Sequence, residues 1–184
     1  GVQTCALPIC SVTLGYISDD GEEGYPGTLV LHVTYTLTNN GELVIFYDAL
    51  SDKDTVINLT NHSYFSLSGV GNTILDHELK LNCDKMVPVD KILIPLGQLA
   101  SVENTPFDFR VTKTIGRDIR ADDEQLANGG GYDHCFVRDN GENKDYPEFI
   151  ARLHSPKTGI TMDILTTEGG IQMYTGNFMT AENP

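Results

Sequence analysis

At 184 residues and 40% hydrophobic composition, the chain can bury one sizeable core, and two independent domains are not expected. Its 26 acidic against 12 basic residues give a formal net charge of −14, a field that repels nucleic-acid phosphates and anionic lipid surfaces alike. The apolar stretches are broken by Thr, Asn or Asp before reaching the roughly 20 residues that span a bilayer, so a soluble protein with neither partner is expected.

Residues 1–9 read like the translation of a common DNA-sequencing adapter and are set aside as non-native, which leaves 10–184 as a single partial domain. Cys83 and Cys135 are then the secure cysteines. Two isolated thiols make neither a disulfide framework nor a zinc site, and they suit a reducing, cytoplasmic compartment. The other end, Thr180 to Pro184, stops without a closing element, so the domain is expected to be truncated at both ends.

From Thr28 to Thr38, Leu29, Leu31, Val33, Tyr35 and Leu37 alternate with polar neighbours, the pattern of a half-buried strand. Asn39-Asn40-Gly41-Glu42 follows. Its Asn-Gly pair predicts a tight hairpin in which both turn residues take positive φ, with a return strand from Leu43 to Leu50. Further strands are predicted at Thr55 to Leu59, His77 to Leu81, Lys91 to Ile94, Tyr132 to Arg138, Glu148 to Ser155, Ile160 to Thr166 and Ile171 to Thr175. Turn residues such as Asp139-Asn140-Gly141 and Pro156-Lys157-Thr158-Gly159 separate them. Only Ala121 to Ala127 reads as helix, ended by Asn128 and the glycines after it. Many short strands without βα alternation predict an all-β antiparallel β-sandwich.

Three stretches could carry chemistry. In Asn58-Leu59-Thr60-Asn61-His62-Ser63-Tyr64-Phe65, polar side chains crowd around a histidine where a strand is predicted to end, although an edge histidine often only packs and hydrogen-bonds. Gly129-Gly130-Gly131-Tyr132-Asp133-His134-Cys135-Phe136 runs a glycine loop into a strand. There Asp133 shares a face with Cys135 while His134 lines up with Tyr132 and Phe136. Glycines that lead into a strand rather than a helix N-terminus do not suit a phosphate. In the third, Gln172 and Tyr174 share one face and Ile171, Met173 and Thr175 the other. One face packs, and the amide and flat ring on the other suit either solvent or an array of sugar hydroxyls. Asp76-His77-Glu78 and Asp133-His134 place metal donors side by side, but adjacent strand residues face opposite ways, so no metal is expected. His32 and His154 read as structural.

Together with Asp20-Gly21-Glu22-Glu23-Gly24-Tyr25-Pro26-Gly27, the segments Asn58 to Phe65, Gly131 to His134 and Gln172-Met173-Tyr174-Thr175-Gly176-Asn177-Phe178 resemble, in order, the motifs of the galactose mutarotases, or aldose 1-epimerases. The resemblance runs from about Ser11 to the end of the chain. It implies a large antiparallel supersandwich whose concave face holds a monosaccharide such as galactose or glucose, with no metal or organic cofactor. It further implies that the enzyme interconverts the α and β anomers of free aldoses by acid and base catalysis. His62 matches the family's catalytic acid, Ser63 and Tyr64 its neighbours at the substrate, and Asp133 and Gln172 its sugar-hydroxyl ligands. An imidazole suits proton delivery to a ring oxygen near neutral pH.

The chain also departs from that pattern. The family's general base, a glutamate, is expected beyond this chain's end, and a second histidine and an Asn-Arg pair before its start. The 184 residues alone are therefore expected to be nearly inactive. Glu168 reads as a solvated loop acid, and Gly169 stands where the family usually has Pro, which is expected to loosen the approach to Gln172. Three other readings remain open. A hexose-phosphate epimerase of related fold would need clustered arginines, whereas Arg110, Arg117 and Arg120 are scattered. A non-catalytic carbohydrate-binding sandwich would keep Asp133 and Gln172 but need no acid or base, and a ligand-free structural sandwich would need none of them.

Overall fold

The alternation from Thr28 onward forms the strand it predicts. In the computed structural model, which describes residues 8–179, β1 (Pro8–Ser18), β2 (Leu29–Thr38) and β3 (Leu43–Ser51) make an antiparallel sheet with β2 at its centre. Residues 1–7 of the adapter-like segment and the chain end at 180–184 lie outside the described residues, whereas Pro8 and Ile9 belong to β1. The sheet's register sets Val12, Leu14 and Tyr16 beside Tyr35, Val33 and Leu31, and these beside Ile45, Tyr47 and Ala49, so one face is apolar throughout. The hairpin forms, but not as the two-residue turn. Thr38 N–H bonds to Glu42 O (2.9 Å) and Gly41 N–H to Thr38 O (3.1 Å), and Gly41, at φ 75°, takes the left-handed conformation while Asn40 does not. This three-residue loop is a type I turn followed by a left-handed residue, the geometry that keeps Leu37 opposite Leu43.

The chain divides into two compact units, the first ending at Tyr64 and the second beginning at Phe65. The second unit contains two four-stranded antiparallel sheets. One has the order β10 (Thr161–Thr166), β9 (Glu148–His154), β4 (Glu78–Leu81), β7 (Lys113–Thr114). The other has the order β11 (Gly170–Tyr174), β8 (Asp133–Val137), β5 (Lys85–Met86), β6 (Ala100–Ser101). Their inner faces share one core, with Leu79 and Leu81 from β4, Ile150 and Ala151 from β9, Met86 from β5 and Phe136 from β8. Adjacent Ile150 and Ala151 both turn inward because the register slips there: Ile164 opposes Ala151 and Leu165 opposes Phe149, which leaves Ile150 as a bulge. Phe107, Phe109, Tyr132 and Phe136 fill the centre with edge-to-face and tilted ring contacts at centroid distances of 5.2 to 6.2 Å.

Two predicted strands do not form. Thr55 to Leu59 is irregular, as is all of 54–66, because its β-branched residues meet no ladder partner. Lys91 to Ile94 is instead the tip of a small loop. Asp90 Oδ1 accepts the N–H groups of Ile92 and Ile94 (2.9 Å each), Leu93 adopts φ 66°, and Val89 bridges Pro95. The helix α1 (Glu124–Gly129) starts three residues later than predicted and runs past Asn128. Its start is set by Asp123, whose carboxylate caps the N–H groups of Gln125 and Leu126 at 2.8 and 3.2 Å. The strands β5, β6 and β7 are two residues long, too short for an alternating pattern to mark.

An ion pair between a buried lysine and a half-buried aspartate lies under the second unit's core. The Lys113 ammonium, with 2% of its side chain exposed, donates to Asp118 Oδ2 (2.7 Å) and Pro106 O (2.6 Å) and sits 4.3 Å from the Phe109 ring centroid. Lys113 chiefly, by its hydrogen bond, holds the Asp118 carboxyl below its ordinary value. Removing the carboxylate strands a buried cation. Asp118→Ala is expected to cost about 3 kcal/mol in urea unfolding, and Lys113→Met distinctly less. The pair's contribution is present in full above the unfolded-state carboxyl pKa of roughly 3.9 and is lost as pH falls through the lowered folded value, so acid unfolding of Asp118→Ala should lack that component.

Candidate active site

In the first unit, His62 lies in the irregular segment, exposed, with its ring edge-to-face to Tyr64 at 5.4 Å and 74°. Asn61 shapes this segment. Its Oδ1 accepts the Ser63 N–H (3.0 Å), and its amide donates to Tyr35 Oη (3.3 Å) on the apolar face of the sheet. His62, Ser63 and Tyr64 are therefore presented by a local turn pinned to β2, not by the end of a strand. All three are exposed.

In the second unit, β8 and β11 are paired with Cys135 opposite Gln172 and Asp133 opposite Tyr174. The pleat sorts these side chains as the alternation predicts. Tyr132, His134 and Phe136 are fully buried, Ile171 and Met173 pack on the core, and Asp133, Cys135, Gln172 and Tyr174 share the other face. Gln172 Nε2 donates to Asp133 Oδ1 at 2.8 Å. Beside them the Tyr174 ring stacks on Phe178 (6.4 Å, 20°), and Tyr174 Oη accepts the Phe178 N–H at 2.8 Å. A carboxylate, a carboxamide and an aromatic plane thus meet on one sheet face.

The two buried histidines of the second unit each give one ring nitrogen to a backbone N–H, and His134 leaves its Nε2 without a hydrogen-bond partner among the described residues. His134 Nδ1 accepts the Asp133 N–H (3.1 Å), its ring packs 4.7 Å from Phe107, and burial lowers its pKa. His77, also fully buried, accepts the Leu67 N–H at 3.1 Å and lies 3.2 Å from Asp76 Oδ1. Among the described residues no three His, Cys, Asp or Glu side chains converge as a metal requires. No helix among them is long and apolar enough to cross a membrane. An open hollow of about 400 Å³ in the second unit, lined by Asn104, Thr105, Asp108, Arg117 and Asp118 among others, includes neither Asp133 nor Gln172.

The loop before β11 is tied rather than loosened. Arg138, 3% exposed, donates through Nη2 to the carbonyls of Thr166 and Glu168 (3.4 and 3.3 Å) and lies 3.6 Å from Glu148 Oε2. Gly169 N–H donates to Asn143 Oδ1 at 3.2 Å, and a Cβ at this position would stand 2.2 Å from the Gly141 backbone. A proline here would remove that donor and collide with the neighbouring loop, so glycine belongs to this chain's own arrangement of the two loops.

The family model for aldose 1-epimerase matches residues 7–183. The chain is 43% identical over 169 residues to the galactose mutarotase of Bos taurus, covering 91% of this chain and 47% of that protein. It is 40% identical to the aldose 1-epimerase of Haemophilus influenzae, covering 88% and 46%. Among solved structures it superposes on the galactose 1-epimerase of Lactobacillus acidophilus with a TM-score of 0.71 at 31% identity, over 93% of this chain and 58% of the other. The chain thus spans about half the length of the relatives it matches. Its antiparallel sheets, ordered motifs and near end-to-end match to the family model lead to one assignment: the chain belongs to the aldose 1-epimerase family.

Proposed function

We propose that the protein carrying this chain interconverts the α and β anomers of free aldoses such as galactose or glucose. The observation that carries this reading is the Gln172 to Asp133 hydrogen bond of 2.8 Å on an open strand face, in a chain of this family. Such a pair offers an anionic acceptor and both halves of an amide to a row of hydroxyls. The reaction needs a proton on the ring oxygen and removal of one from the anomeric hydroxyl. The C1–O5 bond then breaks to give the open-chain aldehyde, rotation about C1–C2 presents its other face, and reclosure reverses the proton transfers. His62 is assigned the acid that serves the ring oxygen, and Ser63 and Tyr64 flank the sugar beside it. Asp133 and Gln172 are assigned the spectator hydroxyls, which they would hold to fix the orientation of the ring. The complementary base is assigned to a glutamate outside these residues. No step calls for a metal or organic cofactor, and Cys83 and Cys135, both free thiols, support a cytoplasmic location.

A phosphorylated substrate is disfavoured because Arg110, Arg117, Arg138 and Arg152 each lie within 4.0 Å of a carboxylate already. Polarimetry of freshly dissolved α-galactose with the protein carrying this chain tests the proposal. His62→Ala is expected to lower kcat by 10²-fold or more. An unchanged rate would remove His62 from the acid role, and galactose binding without any acceleration of mutarotation by the unsubstituted protein would favour a carbohydrate-binding module. Gln172→Ala and Asp133→Asn are expected to raise KM about ten-fold each, with a smaller effect on kcat.

A further inference from the structure

The glycine run before β8 and the polar residues after β11 are joined by a single side chain. Asn177 Nδ2 donates to Gly129 O (2.8 Å) and Tyr132 O (3.0 Å), while its Oδ1 accepts the Thr175 hydroxyl at 2.5 Å. Thr175 completes the tie: its Oγ1 accepts the Tyr132 N–H (3.2 Å), and its own N–H donates to Tyr132 O (3.0 Å). The amide of Asn177 lies against Gly131, where a Cβ would stand 2.5 Å from Asn177 Oδ1 and where φ is 141°. Only glycine admits both that conformation and that approach. Gly131 is thus the socket for Asn177, which gives the glycine run a purpose that neither a phosphate nor an ordinary loop supplies.

The consequence reaches the next residue. Tyr132 is held by Asn177 and Thr175 through both its N–H and its carbonyl, and Asp133 follows directly at the first position of β8. Gln172 lies three residues before Thr175, on the strand that the same tie terminates. The side-chain hydrogen bond between Asp133 and Gln172 therefore bridges two strands whose shared end is set by one amide. Rotamers that leave a carboxylate within hydrogen-bond reach of a facing amide need that end fixed, since a strand terminus without such a tie frays.

We infer that Asn177, with Thr175, is a positioning residue: it fixes the start of β8 against the end of β11 and so holds the Asp133 carboxylate on the Gln172 amide in its sugar-ready geometry. This rests on the assignment of Asp133 and Gln172 to the sugar's hydroxyls. The test uses Asn177→Ala and Thr175→Val in the full chain, with galactose as the probe and two readouts. One is the Gln172 side-chain amide in ¹H–¹⁵N spectra, identified by its loss in Gln172→Ala. The other is the galactose Kd from shift titration. Both variants are expected to move the Gln172 amide toward the position of a solvated amide while amides of β9 and β10 stay in place, and to weaken galactose binding about ten-fold. In a Gln172→Ala background the Asn177→Ala loss should shrink to less than about two-fold, because the two act through one contact. Thr175→Val, which preserves the β-branched shape, decides the matter if Asn177→Ala does not fold. A Gln172 amide that stays in place in a folded variant, or binding losses that simply multiply, overturns the inference. Should the unsubstituted chain bind no galactose while the Gln172 amide still moves in the variants, the positioning role stands and the sugar assignment falls.

Discussion

The alternation of β8 is the constraint on which the second unit turns. Tyr132, His134 and Phe136 drive into the aromatic core, and this leaves Asp133 and Cys135 no choice but the opposite face. A shift of one residue would bury a carboxylate against Phe107 and Phe109 and expose the rings of Tyr132, His134 and Phe136, an exchange of several kcal/mol in the wrong direction. The packing that makes the core therefore also aims the carboxylate. Because β11 is paired to β8 in register, Gln172 arrives opposite Cys135 and within hydrogen-bond reach of Asp133, with Ile171 and Met173 supplying the apolar side of the same strand.

Around this pair the unit relies on polar side chains that hold backbone rather than each other. Arg138 grips the Thr166 and Glu168 carbonyls just before β11, and Asn177, just after that strand, grips the Gly129 and Tyr132 carbonyls just before β8, so the strand bearing Gln172 is tied on both sides by groups outside it. Each fixes a loop that the apolar core cannot reach, although Arg138 does so through Nη2 alone, its buried Nε and Nη1 having no hydrogen-bond partner among the described residues. The first unit shows the same logic on a smaller scale, where Asn61 ties the His62 segment to Tyr35. Local turns and amide latches, rather than strand ends, present the groups assigned to the chemistry there.

The histidines divide by environment. His77 and His134 are fully buried and spend ring nitrogens on backbone N–H groups, which suits them to structure. His62 lies at the surface beside an aromatic ring, where proton exchange with a substrate is sterically open. That contrast agrees with the strand alternation, which sets His134 on the face of Tyr132 and Phe136 and away from Asp133.

Much of this protein was legible in its residues. The alternation of Leu29 to Leu37, of Asp133 to Val137 and of Gly170 to Tyr174 is a period-two signal carried within each segment, so strand existence and the face of Asp133 and Gln172 could be read without coordinates. The ordered motifs likewise named the family. Other features were not legible, because they depend on partners remote in sequence. Thr55 to Leu59 looks like a strand and has no neighbour to pair with, whereas Lys85–Met86 and Lys113–Thr114 carry no pattern and become strands because a neighbour is there. The Asn177 latch and the Arg138 grip join side chains to carbonyls 28 to 48 residues away. Local chemistry determines which way a side chain points along a strand; only the folded chain decides which backbone it meets, since that meeting is made by packing and not by spacing.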